Sequence, residues 1–339
     1  MKRIAAIAVA LGLALAGCST GSEPPAASGT AASQQAGTTT VRVAHLPSTL
    51  FSPLYVAQEK GYFADAGLKV ELEAVKSGQD AVPLLASGKL DALAAGFSAG
   101  MFNARNEGLE FQVVGSMGIN TGDPEKSPTM LIAGQRAYDS GTVTKVADLK
   151  GKKIAAAGGP GATGGFLVAS ILAGEGLTLK DVEIVNLSTP DMPNALSTGA
   201  VDAALASAPV SSRILTDKVG TLIGVPAKGI SSSGLMFGPE FAKTPAAQKF
   251  FDAIAKGAAD LQGDGATADE NLAILAKATK QDVAVLKATP PYAFDPKLAP
   301  QPATIDQMEK IWMEGGQISY KTAQGAGGLV NDTFHKATP

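Results

Sequence analysis

The 339-residue chain has one cysteine, Cys18, and two histidines, His45 and His335. A single thiol near the amino terminus leaves none for a disulfide, a thiolate metal site or a nucleophile in the rest of the chain. The two histidines lack metal-ligand spacing, and GxSxG, HExxH and GxxxxGK[ST] are all missing, so the common hydrolytic and nucleotide-hydrolysing sites are excluded. Charged residues make up 17 % of the chain and sum to −3. No basic face of the size nucleic acid requires can be assembled from them. Aromatic residues are scarce at 5 %, with one tryptophan. The apolar run from Ile4 to Leu15 is too short to cross a bilayer. By contrast, 45 % hydrophobic residues and 39 glycines describe a folded chain rather than a disordered one, and the length accommodates two domains with cores of their own.

Lys2 and Arg3 precede that apolar run, and small residues follow it, as in an export signal. Leu15-Ala-Gly-Cys18 resembles the lipobox of bacterial lipoproteins. The resemblance implies a signal peptide over residues 1–18, a lipidated Cys18 and attachment to a membrane. Residues 19–40 are Gly, Ser, Thr, Ala, Pro and Gln with one charge, Glu23, and read as a flexible tether.

The most informative stretch is Lys153-Ile-Ala-Ala-Ala-Gly-Gly-Pro-Gly-Ala-Thr-Gly-Gly-Phe-Leu-Val168, a short apolar strand, a glycine turn and an apolar helix. A strand feeding a helix through glycines brings the helix's free N–H groups to a sheet end, where they attract anions. Gly159, Gly161 and Gly164 also fit GxGxxG, but the next strand, Val182 to Leu187, ends in Leu-Ser-Thr without the carboxylate that holds a ribose, and Pro160 is awkward in the turn. A turn needed only for close helix packing is one alternative. The other is a small polar or anionic ligand held by backbone N–H groups and Thr163.

The chain reads as two βαβαβ units. The first has strands at 41–44, 67–75 and 90–95, with helices at 53–60 and 78–87. Ser52 is placed as the N-cap of the first helix. The second has strands at 153–157, 182–187 and 201–206, with helices after the glycine turn and at 192–198. Leu85-Ala-Ser-Gly-Lys-Leu-Asp-Ala92 is echoed by Leu196-Ser-Thr-Gly-Ala-Val-Asp-Ala203, at corresponding points of the two units. Asp91 and Asp202 in that echo are expected to be structural. The fold class is therefore α/β with two lobes. Thr129–Ala133 and Ser232–Gly238 are expected to cross between them, and a helical tail follows, its first helix packing on lobe 1. Ligands in such sheets bind beyond the carboxyl ends of the strands.

With these features together, the chain resembles the substrate-binding proteins of ABC importers, in the group of sulfonate, taurine, nitrate and thiamine-precursor binders with the periplasmic binding protein type II fold. The residues carrying the resemblance are Pro53-Leu-Tyr-Val-Ala-Gln-Glu-Lys-Gly-Tyr-Phe63 with Gly67-Leu-Lys-Val70, both members of the Asp-Ala echo, Asp148-Leu-Lys-Gly-Lys-Lys-Ile154 and the glycine turn. It implies lobe 1 at 41–128 plus 232–339, lobe 2 at 129–231, and a double-crossing hinge that closes on ligand. It also implies a ligand site made of His45, Phe51, Ser52, Phe97 and Ser98 from lobe 1, with Gly161, Ala162, Thr163, Gly164, Asp191, Ser207 and Pro209 from lobe 2. Ser52 and Asp191 fit helix capping better than ligand contact, and Phe51 and Phe97 fit core and cleft equally. The segment Ala206-Ser-Ala-Pro209 lacks the large residue often found before that proline, which implies a wider cleft. The expected role is capture of a small organic anion or heteroaromatic for an ABC permease and its ATPase by a monomer on the outer face of the membrane, without cofactor or metal. A cofactor-biosynthesis enzyme of the same fold, of pyrimidine-synthase or menaquinone-pathway type, is the alternative.

Overall fold

The computed structural model describes residues 38–75 and 77–338. The expected signal peptide, Cys18 and residues 19–37 of the expected tether lie outside the described residues. From Gly37 onward the chain is one compact unit.

Lobe 1 opens with β1 (Thr39–His45), α1 (Ser52–Glu59), α2 (Tyr62–Asp65), β2 (Leu68–Ala74), α3 (Gly78–Ala86), β3 (Ala92–Gly96), α4 (Ala99–Asn106) and β4 (Gln112–Ser116). Lobe 2 follows with β5 (Thr129–Gly134), α5 (Gln135–Asp139), β6 (Lys153–Ala156), α6 (Thr163–Leu172), β7 (Glu183–Asn186), α7 (Met192–Thr198), β8 (Ala203–Ser207), α8 (Val210–Thr216) and β9 (Gly220–Gly224). The chain then returns to lobe 1 with β10 (Ser233–Phe237), α9 (Pro245–Ala259), α10 (Asp269–Thr279), α11 (Val283–Lys287), α12 (Pro302–Glu314) and α13 (Thr333–Ala337). The strand orders are β2-β1-β3-β10-β4 and β7-β6-β8-β5-β9, one topology used twice. In each sheet the first three strands are parallel, and β10 or β5 runs antiparallel to both of its neighbours.

Burial explains these strands. The alanine-rich β3 and β8 are covered on both faces, as runs without polar alternation require. On the outer face of sheet 1, Phe250, Phe251 and Ile254 of α9 pack with Leu54 and Val56 of α1 into one apolar cluster. The first tail helix thus packs on lobe 1, as expected.

Three local expectations change. Thr39 and Thr40 belong to β1, where they pair with Leu68 and Lys69, so the strand begins inside the stretch read as tether. Ser52 does not cap α1: Ser48 caps a 3-10 turn over Thr49–Phe51, and the Ser52 hydroxyl donates to Thr49 O at 2.7 Å. Thr129–Ala133 and Ser232–Gly238 do not bridge the lobes. They form most of β5 and β10, hydrogen-bonded on both sides inside their sheets. The segments that cross are 117–128 and 225–232. They pair through Ile119 and Ser231, and Ile119 pairs on its other side with Ala293. An extended segment of the tail thereby adds a third strand to the crossing.

The Asp-Ala echo has a shared structural cause. Asp91 accepts from Arg42 N at 2.8 Å, and Asp202 accepts from Lys153 N at 2.8 Å, each across 49 residues. In return, Asp91 N donates to Arg42 O and Asp202 N to Lys153 O, both at 2.9 Å. Each carboxylate fixes the entry of a third strand beside the first, at the end of the sheet away from the cleft. Asp91 also binds the Arg42 guanidinium through both oxygens. We expect Asp202→Ala to cost about 1–3 kcal/mol, and Asp91→Ala more because it also strands Arg42, in urea denaturation. Equal or negligible losses would contradict this account.

Candidate functional site

The carboxyl ends of the two sheets face each other. After β6 the chain turns through Gly158 and Gly159, at φ +80° and +77°, a conformation that residues with a side chain rarely adopt. Asn186, at the end of β7, holds that turn by accepting from Gly158 N at 3.0 Å. The turn leads to Ala162 at the N-cap of α6, whose methyl group cannot accept from the first helical turn. In lobe 1, β3 leads through Phe97 to Ser98 at the N-cap position of α4, and the Ser98 side chain does not cap that helix either.

These two uncapped helix starts meet. Ser98 and Ala162 form an antiparallel bridge, and Ala99 N donates to Gly161 O at 2.8 Å. Thr163 Oγ1 lies 3.0 Å from Phe97 O and 3.3 Å from Ser232 O, sharing its one proton between two lobe 1 carbonyls. Gly96 makes this approach possible, since a Cβ there would stand 2.4 Å from Thr163 Oγ1. Ser98 Oγ is buried and unpartnered among the described residues. An unpaired buried hydroxyl costs about 1–3 kcal/mol. Here it sits between two helix N-termini, the positive ends of their dipoles.

The tail supplies a contact that the sequence did not indicate. Trp312 of α12 donates its indole N–H to Pro160 O at 3.1 Å. Its ring lies between Phe102 of α4, at 5.5 Å, and Phe166 of α6, at 6.2 Å, both edge-on. The sequence indicates a helical tail without identifying which lobe Trp312 touches.

The other expected site residues divide. His45 ends β1 and is 7 % exposed; its Nδ1 is 2.9 Å from Tyr55 Oη. Tyr55 Oη also lies 3.0 Å from Leu46 O, so the tyrosine hydroxyl links the imidazole to the backbone at the end of β1. Burial pushes the imidazole pKa below its ordinary value, which keeps His45 neutral near pH 7. Phe51 is 1 % exposed in the core between sheet 1 and its outer helices, so it belongs to packing rather than to the cleft, and Ser52 is buried beside it. Phe97 is 4 % exposed, its ring against Gly234, and is likewise core. Gly164 abuts Ala157 O, leaving no room for a side chain in the first turn of α6. Asp191 is exposed; it makes no cap to α7 and accepts from Ser188 Oγ at 2.5 Å. Ser207 Oγ is 3.4 Å from Thr129 Oγ1, which also meets Tyr292 Oη at 2.8 Å. Pro209 follows a cis peptide bond and starts α8. The sheet ends thus bring together Ser98, Gly161, Ala162 and Thr163, with His45 at the neighbouring strand end. Asp191 follows β7, and the hydroxyls of Thr129, Ser207 and Tyr292 form a separate cluster where the start of β5 and the end of β8 meet the tail. No arginine or lysine is among them, so negative charge would be met here by backbone N–H groups.

Residues 48–268 match the family model described as NMT1/THI5 like. A 4-amino-5-hydroxymethyl-2-methylpyrimidine phosphate synthase of Aspergillus parasiticus is 31 % identical over 154 residues, covering 45 % of this chain and 41 % of that protein. The chain thus spans about two fifths of the length of this curated relative. Among solved structures, the alkanesulfonate-binding protein SsuA from Xanthomonas axonopodis pv. citri, bound to MOPS, superposes with a TM-score of 0.66 at 19 % identity, over 88 % of this chain and 100 % of that one. The periplasmic nitrate-binding protein NrtA from Synechocystis PCC 6803 gives 0.69 at 15 % identity, over 88 % and 87 %. Both share the two-lobed α/β fold of periplasmic binding proteins described above. The family match takes in more than half of the chain, and the chain belongs to the NMT1/THI5-like family.

Proposed function

We propose that this protein is an extracytoplasmic solute-binding protein that captures a small organic anion or heteroaromatic between its lobes and delivers it to an ABC import permease. The observation that carries this reading is the unpartnered Ser98 hydroxyl between the uncapped starts of α4 and α6. Each helix N-terminus favours an anion by about 0.3–2 kcal/mol, and a buried hydroxyl gains a partner when a ligand oxygen or nitrogen arrives. In this reading Ser98, Gly161 and Ala162 face the ligand, His45 offers an uncharged polar edge, and Gly164 serves the packing of α6 on β6. Thr163, which the sequence offered as a ligand hydroxyl, is instead a lobe-to-lobe tie in the closed form. Lobe 1 is taken as residues 41–128 plus 232–339 and lobe 2 as 129–231, and the crossing near Ile119 and Ser231 acts as the hinge. A ligand that gains contacts only in the closed form shifts the population toward it. The lipobox-like Leu15-Ala-Gly-Cys18 supports a lipid anchor on Cys18, with the protein held as a monomer at the outer face of a membrane.

A second reading, a cofactor-biosynthesis enzyme of the same fold, is favoured by the 31 % identity to the pyrimidine phosphate synthase. The two readings separate on turnover. A ligand recovered unaltered after prolonged incubation supports binding, and its conversion overturns the transport role.

Two outcomes are expected. In a thermal-shift screen of residues 38–339 against sulfonates, nitrate, pyrimidines and aromatic acids, one chemical class stabilises the fold by about 2.7 kcal/mol at a hundredfold excess over its Kd, and Ser98→Ala weakens that ligand roughly tenfold. Silence across all classes would remove the basis for the binding reading. Gly96→Val should wedge Thr163 from its carbonyls, raise the radius of gyration in solution scattering and weaken ligand binding. An unchanged radius with unchanged affinity would show that closure does not pass through this contact.

A further inference from the structure

Behind Trp312, on the outer side of the seam between α6 and α12, lies a cavity of about 320 Å³. One wall comes from lobe 2 and the other from the carboxyl-terminal tail. Ala169, Leu177 and Leu179 form the first wall, and Ile311 stands on the second. Leu177, Leu179 and Ile311 are only half-buried, so two facing walls present apolar surface to solvent. Gly315 closes one end, where an added Cβ would come within 3.6 Å of Leu179. The volume suits one small molecule rather than a protein segment.

The charges around it are asymmetric. Lys180 and Lys310 both line the cavity, and both are exposed. Lys180 has no carboxylate within 4.0 Å among the described residues, and Lys310 has only Glu314, at 4.0 Å, one helical turn away. The neighbouring Asp181 is already engaged by Thr178 N and Thr178 Oγ1, each at 3.0 Å, and by Lys150 at 3.7 Å. Two ammonium groups against one loosely paired carboxylate leave an excess of positive charge at the mouth of an apolar floor.

We propose that this seam is a second ligand site, separate from the cleft, that takes a small amphipathic monoanion, an aryl or alkyl carboxylate or sulfonate. Its apolar body lies on Leu177, Leu179 and Ile311, and its charge sits between Lys180 and Lys310. Because the walls belong to different lobes, an occupant joins α6 to α12 and reinforces the contact that Trp312 makes with Pro160.

The test uses the compact body from Gly37 to Pro339 and the probe 8-anilinonaphthalene-1-sulfonate. Trp312, the only tryptophan, adjoins Ile311, so dye bound at the seam lies within range of energy transfer from it, and the variants below locate the bound dye. The double variant Lys180→Glu, Lys310→Glu changes two exposed side chains and keeps the fold, which circular dichroism checks; its Kd for the dye is expected to rise at least about tenfold. The same charge change placed elsewhere on the surface, Lys69→Glu with Lys243→Glu, is expected to leave dye affinity unchanged. Equal affinity in the Lys180, Lys310 variant, an equal loss in the Lys69, Lys243 variant, or no transfer to the dye in the unaltered protein would each overturn the proposal. Cleft binding is read independently by the thermal-shift screen.

Discussion

The arrangement depends on one close approach, in which the backbone of the glycine turn lies directly on the end of β3 with almost no side chain between them. Gly96 provides the space on one side and the Gly158–Gly159 turn shapes the other. Within α6, Gly165 stands so near Pro160 that a Cβ would lie 2.3 Å from its carbonyl oxygen. Bulk at these positions would separate the two helix starts, and their dipoles would then act on solvent rather than on a shared point between the lobes. The chain's glycine content is thus tied at this place to the chemistry of the cleft.

The tail decides how firmly the lobes meet. Hydrogen bonds such as that from Thr163 to Phe97 contribute about 1 kcal/mol each, whereas removing a buried tryptophan costs about 3–5 kcal/mol. Trp312 is fully buried, and the apolar cluster around it runs without a break from Leu93 and Phe102 in lobe 1 to Ile154 and Phe166 in lobe 2. The seam is therefore held mainly by packing. Together with the triple pairing at Ile119, it confines relative motion of the lobes to displacements that both contacts tolerate.

Much of this was legible in the sequence because it rests on local rules. The glycine turn, the strands of both units and the duplicated Asp-Ala starts follow from apolar runs and turn residues, and they stand within a residue or two of where those signals put them. The missed features depend on contacts remote in the chain. Ser52 before Pro53 carries the cap signal, but Ser48 precedes a 3-10 turn that no periodicity announces. Phe51 and Phe97 differ little from cleft aromatics in sequence, and only the packing of α9, nearly two hundred residues later, and of Gly234 makes them core. Thr163 has the right chemistry for a ligand; Gly96 brings it a different partner. The two supposed crossing strands misled because a strand buried on both faces and a buried connector have the same composition.

The position of β10 has a consequence for how the molecule assembles. Sheet 2 is complete in one uninterrupted stretch, from β5 to β9, whereas sheet 1 has a gap between β3 and β4 that only β10 fills. As the chain lengthens from its amino end, β4 has no sheet to join until all of lobe 2 has passed, and α9 arrives later still to cover the outer face. Lobe 2 can settle as a nested insert while lobe 1 waits as separate pieces with open strand edges. The lobe that begins the sequence is the last to be finished, and the interval before β10 arrives is when the chain is most exposed to wrong pairing.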